Sequence, residues 1–409
     1  MELLSKDEIN QVIKQLGFAK ALKWSLNNFS DSLIGYLGEH LKLTVDVESG
    51  SSKIELKFFV KCVPRFDVYL AEYLKETTFF KKEYAMLNSL FKLFREGSQK
   101  WRPTLLLAKE NLFIFEDVTQ LGYKMPNNRD AFTFDQVQAC VETIARFHAK
   151  SYIYEEKKSE ELGRPYRIWE EYSDYLKEPP KGQKWRDAGR NAVIDFLNVY
   201  SKDKNDPTFS ANVEVAITKL YERALCLMKP HPNYRNVVVH RDLWTNNILF
   251  KNDGGKYHAL IVDFQTVLYS SPMMDLASFI YFNTTRKFRD TYLQDVINLY
   301  RCALTKELKY CDIDVDKIMD RDSLQQCYKE SIDFGISQAA IILPITVMDA
   351  KMREKLFADP KTASRINEVS RSAEFIQVAK VDEIYFKRVT ELFDEIVERY
   401  VYEYASCKW

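Results

Sequence analysis

Three polar side chains at fixed spacing, Asp242, Asn247 and Asp263, are the best candidates for chemistry in this chain. Asp242 stands in a loop after an apolar run, Asn247 follows it by five residues, and Asp263 ends a second apolar run. Phosphoryl transfer from ATP uses one carboxylate to orient and deprotonate a hydroxyl, and an amide and a second carboxylate to hold the metal ions. The pattern His-Arg-Asp-Leu-x-x-x-Asn from His240 to Asn247 matches the kinase catalytic loop at every specified position. We therefore predict a phosphotransferase in which Asp242 is catalytic and Asn247 and Asp263 bind Mg²⁺ and, through it, ATP.

For three residues near these in the sequence, more than one role is open. We group His240 with Asp242 at the catalytic site, and we expect it to brace the backbone and the aspartate rather than to act as a base. Arg241 is either solvated or paired with a carboxylate. Asp275 follows Ser-Pro-Met-Met, so it could cap a helix or brace the catalytic loop, and general preferences favour the cap.

A lysine that binds the phosphates of ATP normally stands on a strand and is held by a helix glutamate. Lys61 closes the apolar run Phe58–Val60, and Glu83 in the following helical stretch is its best partner, with Glu72 and Glu76 as rivals. We predict that Lys61 and Glu83 bind the nucleotide.

Two further segments are candidates for contacts with ATP. Gly35 and Gly38 form a closely spaced glycine pair before the lysine strand, but a lone GxxG is weak evidence for a phosphate-covering loop. The main chain of Glu116, Asp117 and Val118, where the lobes should join, could bind the adenine edge.

The chain's periodicity predicts a β-rich segment followed by an α-rich segment. We expect an α+β, two-lobed fold with an N-terminal lobe over residues 1–117 and a C-terminal lobe over 118–409. The predicted strands cover residues 32–47, 54–63, 104–108 and 112–115, together with two strands at the catalytic residues that are separated by the Gly254-Gly255 turn. The predicted helices cover residues 6–22, 68–95 with a break near Thr77-Thr78, 134–154 with a capping box at Thr133, 191–201 and 211–228, and then the chain from 274 to its end.

The bulk composition excludes several classes of protein. Lys and Arg number 59 and so do Asp and Glu, so no net field favours nucleic acid or an anionic membrane. The seven cysteines are scattered, which argues against a disulfide framework or a zinc site, and the N-terminus has no signal-peptide pattern. We expect a cytoplasmic monomer without a membrane-spanning helix. The 26 Phe, 24 Tyr and 6 Trp indicate either an aromatic core or a pocket for a large apolar substrate.

The residues after Asp263 indicate the kind of substrate. Only eleven residues separate Asp263 from Asp275, and no activation segment with an Ala-Pro-Glu anchor follows. The motif at Asp263 is Asp-Phe-Gln rather than Asp-Phe-Gly. Both points disfavour a protein substrate and favour a small molecule.

The stretches His240 to Phe250, Val262 to Gln265 and Ser271 to Leu276 resemble the ecdysteroid kinase-like (CHK kinase-like) family of arthropods, which is related to choline and aminoglycoside kinases. The similarity extends to the stretches 80–83, 115–118 and 145–149.

That resemblance implies a protein-kinase-like fold, ATP and Mg²⁺ as cofactors, and a small-molecule hydroxyl of an ecdysteroid or other apolar alcohol as acceptor, in hormone inactivation or detoxification. Family members usually carry Gly where this chain has Arg241, a departure that concerns the local backbone and not the catalytic carboxylate. The aromatic stretch from Tyr152 to Trp185 and the helices after 330 are candidate pocket walls. A nucleotide-binding pseudokinase and a choline- or aminoglycoside-type kinase are the alternatives.

Overall fold

The computed structural model describes residues 3–29, 38–50, 52–95, 97, 99–178 and 183–402. Its N-terminal lobe is built on an antiparallel five-stranded sheet of order β1-β2-β3-β5-β4. The strands are β1 (Ala21–Asn28), β2 (Glu39–Ser49), β3 (Ser52–Cys62), β4 (Leu105–Lys109) and β5 (Leu112–Glu116). Along β2 the apolar side chains alternate with polar ones and are buried against α1 (Lys6–Lys14), which gives this lobe its own small core.

The helical segment between β3 and β4 carries residues toward the cleft between the lobes. It consists of α2 (Val68–Thr77), α3 (Phe79–Ala85), a π-helical turn (Met86–Leu90) and α4 (Phe91–Leu93). Thr78, with a φ of 58°, separates α2 from α3, so the predicted break near Thr77-Thr78 is confirmed. Because of this break, α3 presents Glu83 to the sheet while α2 turns away toward the C-terminal lobe.

The C-terminal lobe is mostly helical. Its helices are α5 (Phe134–Leu162), α6 (Trp169–Tyr172), α7 (Gln183–Tyr200), α8 (Phe209–Leu227), α9 (Pro272–Asn283), α10 (Arg286–Lys309), α11 (Val315–Ile318), α12 (Arg321–Thr346), α13 (Ala350–Phe357), α14 (Pro360–Glu368), α15 (Ser372–Val381) and α16 (Glu383–Ile396). A final π-helical turn covers Val397–Val401. The predicted capping box at Thr133 and Gln136 starts α5. The long helices α5, α9, α10 and α12 surround the catalytic strands and bury them.

Four short strands place the motif residues in this lobe. Strand β6 (Val237–Val239) pairs with β9 (Leu268–Ser270), and β7 (Ile248–Asp253) forms a hairpin with β8 (Lys256–Ile261). Gly254 and Gly255 make the hairpin turn with positive φ angles of 61° and 93°, a conformation that glycine adopts without strain. The catalytic loop follows β6 and Asp263 follows β8, so both lie at the same side of the lobe.

The α+β, two-lobed, protein-kinase-like fold is confirmed, with differences at the ends of elements. The helix predicted over 6–22 is wrong beyond Lys14, since Gly17 breaks the chain at a φ of 87° and β1 begins at Ala21. The helix predicted over 134–154 continues to Leu162. Residues 32–37 of the predicted first strand, including Gly35, lie outside the described part of the chain.

None of the helices within the described residues is long and apolar enough to cross a membrane by itself. Taken together, α12 and α13 have the length and apolar composition of a span, but they are bent by 92° at the break between them.

Candidate active site

The catalytic loop is held in place by Asp275. Its two carboxylate oxygens accept the backbone N–H groups of His240 and Arg241, each at 2.6 Å. The ring of His148 on α5 contacts the same carboxylate at 3.0 Å, and all of these groups are buried. A buried carboxylate that accepts two backbone donors fixes the turn just before Asp242.

The preferred prediction for Asp275, a helix cap, is therefore wrong, and the alternative, a brace for the catalytic loop, is correct. Ser271 caps α9 instead, because its hydroxyl accepts the N–H of Met273 and Pro272 occupies the first helical position. Asp275 stands at the fourth helical position, where its side chain is free to reach the loop.

His240 joins the two motif strands. Its Nε2 lies 2.9 Å from the carbonyl oxygen of Val262, and its Nδ1 accepts the N–H of Asp242 at 3.3 Å. Burial lowers the pKa of His240, so the ring is neutral, with the proton on Nε2. This geometry fits a bracing role and leaves no free nitrogen for proton transfer.

Asp242 has one bonded and one unbonded carboxylate oxygen. Its Oδ2 accepts hydrogen bonds from Trp244 Nε1 and Asn247 Nδ2, both at 3.2 Å, whereas Oδ1 is buried without a hydrogen-bond partner. Burial and the nearby charge of Asp263 raise the pKa of Asp242 to about 7. An oriented carboxylate with one unoccupied oxygen and a pKa near neutrality is suited to accept a proton from a hydroxyl.

The side chain of Asn247 is held so that its amide oxygen is available to a cation. Its amide nitrogen donates to the carbonyl oxygen of Asp242 at 2.8 Å as well as to the carboxylate, so its amide oxygen is the atom that could bind a metal. The carbonyl of Asn247 also accepts the N–H of Val262 at 3.0 Å, which ties the catalytic loop to the segment before Asp263.

Asp263 sits on a backbone turn in the left-handed region, with a φ of 72°. Its Oδ1 is 2.9 Å from Lys61 Nζ, and its Oδ2 accepts a hydrogen bond from Gln265 Nε2 at 3.1 Å. The next residue, Phe264, packs edge-on against Phe91 and Trp101 and so anchors the turn in the core. Sterically unfavourable backbone at a well-anchored aspartate is common at functional sites.

Lys61 forms the predicted ion pair with Glu83. The distance from Lys61 Nζ to Glu83 Oε2 is 2.6 Å, and both side chains are buried. Glu83 Oε1 accepts the N–H of Phe264 at 3.1 Å, so this glutamate also contacts the Asp263 turn. Burial opposes the charge on Lys61, but Asp263 and Glu83 outweigh it and raise its pKa, so the lysine is charged.

Gly38 and His40 lie beside Lys61. A Cβ atom on Gly38 would stand 3.3 Å from Lys61 Cε, and the φ of Gly38 is 139°, so a side chain here would be strained and crowded. His40 faces Lys61 across the β2–β3 pair, and burial and the charge of Lys61 lower its pKa to about 4. A neutral His40 thus stands close to the expected phosphate position.

The segment Glu116–Val118 follows β5 directly. The carboxylate of Glu116 binds Lys100 Nζ at 2.6 Å, and that of Asp117 accepts the N–H of Thr119 at 3.1 Å. Both acidic side chains are engaged in local structure, so a contact of this segment with adenine would be made by main-chain atoms, as predicted for it.

Arg241 adopts a φ of 73°, a conformation that glycine adopts far more easily. Its guanidinium forms an ion pair with Glu178, which also pairs with Arg186 at 2.6 Å. The salt-bridging alternative for Arg241 is therefore correct. Local sequence patterns contain no sign of Glu178 or Arg186, since both come from a segment about sixty residues upstream.

The side chains at this site are chemically suited to hold Mg²⁺ and ATP. No group of three or more His, Cys, Asp or Glu in the described ranges could hold a metal without help. The oxygens of Asn247 and Asp263 would instead share a cation with phosphate oxygens, as Mg²⁺ prefers. Charged Lys61 beside Asp263, the close approach of Gly38, and the unbonded Asp242 oxygen are consistent with a triphosphate and an acceptor.

Trp244 and Gln265 are two further residues of the site that the sequence prediction did not include. Each holds one oxygen of a motif aspartate. Both stand two residues after the aspartate they contact, so this spacing could have indicated them.

A model of the ecdysteroid kinase-like family (EcKL) matches residues 34–313, more than half of the 409-residue chain. The chain belongs to the ecdysteroid kinase-like family. The matched range contains every site residue of this ecdysteroid kinase-like protein from Lys61 to Asp275. The family is one of small-molecule kinase-like proteins, so the kinase character of the fold and motifs is shared.

Several solved structures are similar over most of their length. A microcompartment-associated aminopropanol kinase is 15% identical, with 93% of each chain covered and a TM-score of 0.41. A Plasmodium vivax ethanolamine kinase is 11% identical over 92% of this chain and 83% of that one, with a TM-score of 0.39. APH(2")-IIa, in a ternary complex with streptomycin and ATP, is 15% identical over 83% and 99%, with a TM-score of 0.31. No curated protein matches the chain.

Proposed function

We propose that this protein is an ATP-dependent kinase that phosphorylates a hydroxyl group of a small apolar alcohol such as an ecdysteroid. The observation that carries the proposal is the convergence of Lys61 from one lobe and Asp263 from the other at 2.9 Å, beside Asp242 with its unbonded oxygen. When bound, ATP would supply the phosphoryl group to the acceptor oxygen and leave as ADP, and Mg²⁺ would neutralise charge on the phosphates.

Each residue has a defined task in this proposal. Asp242 accepts the proton of the acceptor hydroxyl at Oδ1 and orients that hydroxyl. Asn247 and Asp263 would hold Mg²⁺ through oxygen atoms, and Lys61, which Glu83 holds in place, would contact the phosphates. His240 and Asp275 position the loop and touch neither reactant.

Mg²⁺-dependent consumption of ATP, measured with a panel of ecdysteroids, sterol alcohols, choline and aminoglycosides, tests the proposal. We expect turnover with at least one apolar alcohol. Asp242→Asn should lower kcat by a factor of about 10³ or more, while binding of a non-hydrolysable ATP analogue stays within about threefold of wild type, because the proton acceptor is removed and the nucleotide contacts remain. Nucleotide binding without turnover on any acceptor would support the pseudokinase alternative instead. Turnover with choline or an aminoglycoside alone would support the alternative of a choline- or aminoglycoside-type kinase.

The expected state of the protein, a cytoplasmic monomer, is part of the proposal. The six cysteines in the described ranges are free thiols, which suits a reducing compartment. Cell fractionation and light scattering test this part.

A further inference from the structure

The amine of Lys82 on α3 joins three separate segments of the chain. Its Nζ donates one hydrogen bond to the carbonyl oxygen of Lys177 and another to that of Val267, each at 3.0 Å. The side chain is 3% exposed, so these bonds lie away from bulk solvent. A buried carbonyl that loses its donor carries a desolvation cost, so Lys82 holds both segments against α3.

The first of the three segments, α3 itself, also holds the lysine that is expected to bind phosphate. Glu83 directly follows Lys82, pairs with Lys61 at 2.6 Å and accepts the N–H of Phe264 at 3.1 Å. Helix α3 has only seven residues and is separated from α2 by Thr78, whose φ is 58°. A helix this short depends on its side-chain contacts for its position.

The second segment is the loop that carries Asp263. Val267 stands four residues after Asp263 in this loop. Thr266, just before it, donates a hydrogen bond from its hydroxyl to the carbonyl oxygen of His240 at 3.1 Å. The carbonyl that Lys82 binds therefore belongs to a loop that contacts the catalytic loop as well.

The third segment supports the catalytic loop from a distant part of the sequence. Lys177 is followed by Glu178, whose carboxylate forms an ion pair with Arg241, the residue before Asp242. Arg241 has a φ of 73°, an unfavourable conformation that the surrounding contacts must hold. By binding the carbonyl of Lys177, Lys82 fixes this support relative to α3.

The two hydrogen bonds of Lys82 do not depend on its charge. Burial and the charge of Arg241 lower the pKa of Lys82 to about 7. The amine has at least two N–H groups in either protonation state, and two is the number that these carbonyls accept. Lys82 thus acts as a donor that spans two acceptors.

We propose that Lys82 is a positioning residue for phosphoryl transfer, which sets α3, the Asp263 loop and the segment of Glu178 at the distances that the reaction requires. The inference rests on the proposed function, because these three segments carry or support its residues. Lys82 acts through its neighbours and not on the reactants. Such an effect can be large, since a misplacement of about 1 Å can lower a rate about 100-fold.

Lys82→Met tests the inference, because methionine has a side chain of similar length but no N–H to donate. Lys82→Arg keeps the donors and the charge. Lys81→Met is the matched control, since it is the same substitution at the adjacent, exposed position of α3. Val12→Ala controls for stability alone: Val12 is fully buried in the core between α1 and the sheet, so its truncation lowers the Tm without a contact to the site.

The kinetic measurements are kcat with the best acceptor and Kd for a non-hydrolysable ATP analogue with Mg²⁺. We expect Lys82→Met to lower kcat by a factor of about 10 to 100, while Kd stays within about threefold because Lys61 keeps its bond to Glu83. Lys82→Arg should retain more of kcat than Lys82→Met. Lys81→Met and Val12→Ala should keep kcat within about twofold of wild type.

Three kinetic results would overturn the inference. The first is a normal kcat in Lys82→Met. The second is a fall in kcat that Val12→Ala reproduces at the same loss of Tm, which would reduce Lys82 to a contribution to stability. The third is a loss of nucleotide affinity that accounts for the whole effect of Lys82→Met.

Amide hydrogen exchange of the ligand-free proteins tests the contacts without any turnover. Peptides that cover residues 173–178 and 263–268 should both exchange about tenfold faster in Lys82→Met than in wild type or Lys81→Met, because their carbonyls lose the same donor. If no acceptor is phosphorylated but both peptides respond, Lys82 holds the segments as inferred and only the kinase proposal fails. If one peptide or neither responds, the inference is overturned whatever the kinetics show.

Discussion

Titration of the carboxyl group of Asp242 should make the free energy of unfolding depend on pH. Its pKa in the folded protein is about 7, above its ordinary value of 3.8, because burial and Asp263 disfavour ionisation. An acid with a raised folded-state pKa contributes stability at low pH that is lost as the pH rises through that pKa. Asp242→Asn removes this loss, so its stability relative to wild type should increase between about pH 4 and pH 8, by about 4 kcal/mol.

Urea unfolding of the ligand-free proteins at several pH values measures this difference. A constant difference between Asp242→Asn and wild type across the range would show that the aspartate titrates normally in the folded protein.

The buried pair of Lys61 and Glu83 gives a second test at the scale of residues. Lys61→Met leaves a fully buried glutamate without its partner, and we expect the free energy of unfolding to fall by about 3 kcal/mol. The double variant Lys61→Met/Glu83→Gln should recover at least half of that loss, because the only unpaired charge then left is that of Asp263, which is partly exposed. Both variants should lose nucleotide affinity.

Lys57 on the same strand provides the control. It pairs with Glu55 at 2.9 Å, but both side chains are exposed, so Lys57→Met should change stability by less than about 1 kcal/mol. Equal effects of Lys57→Met and Lys61→Met in urea unfolding would contradict the role given to burial.

Arg241 tests backbone strain at the catalytic loop. Arg241→Gly and Arg241→Ala both remove the ion pair with Glu178, so they differ only in how well they accept a φ of 73°. We expect the glycine variant to be more stable than the alanine variant by about 1 kcal/mol, because only glycine adopts this conformation without strain. Thermal unfolding of the two variants side by side measures the difference, and a more stable alanine variant would refute it.

At the scale of elements, the contact between α9 and α12 positions the catalytic loop. A Cβ on Gly335 of α12 would lie 2.7 Å from the backbone of Ala277 on α9, closer than packed atoms can approach. Gly335→Ala must push α9 away, and α9 carries Asp275, which holds the loop. We expect a loss of stability of about 2 kcal/mol together with a lower kcat.

Lys329→Ala in the same helix is the matched control, since Lys329 is exposed and the change adds no atom at the contact. Lys329→Ala should leave both the free energy of unfolding and kcat within error of wild type. Normal activity of Gly335→Ala would show that the position of α9 does not govern the loop.

Elements with a strong apolar periodicity or a capping motif could be predicted from the sequence, and elements without one could not. Strand β2, whose apolar residues alternate, and helix α5, with its capping box, were predictable. Strand β1 was not, because it lies at the sheet edge with only Ala21 fully buried and so lacks an apolar stripe. A periodic apolar pattern in the sequence reflects the burial of one face of an element, and an edge strand buries few of its side chains.

The same distinction holds within the site. Asp242, Asn247 and Asp263 belong to short motifs and were predicted, and the structure brings them together with Lys61 and Glu83. Glu178 contributes through a contact with Arg241, which is 63 residues away in the sequence, so no spacing indicates it. Charges that depend on long-range packing require a structure.

At the scale of the molecule, the two lobes are coupled through the nucleotide site. Lys61 and Asp263 join them at 2.9 Å, and Tyr69 on α2 contacts Glu368 on α14 at 2.9 Å. A ligand held by both lobes should therefore stabilise the whole chain, not one half of it. At a concentration 100 times its Kd, a non-hydrolysable ATP analogue with Mg²⁺ should add about 2.7 kcal/mol.

Scanning calorimetry with and without the analogue measures this effect. We expect a single transition that moves to higher temperature as one unit, because the ion pair and the contact between α2 and α14 link the lobes. Adding EDTA to the analogue should reduce the shift, since the oxygens of Asn247 and Asp263 would then hold no cation between themselves and the phosphates. Asp263→Asn should show the smaller shift whether or not EDTA is present. Two separate transitions, of which only one responds to the analogue, would mean that the lobes unfold independently and that the nucleotide is held by one of them.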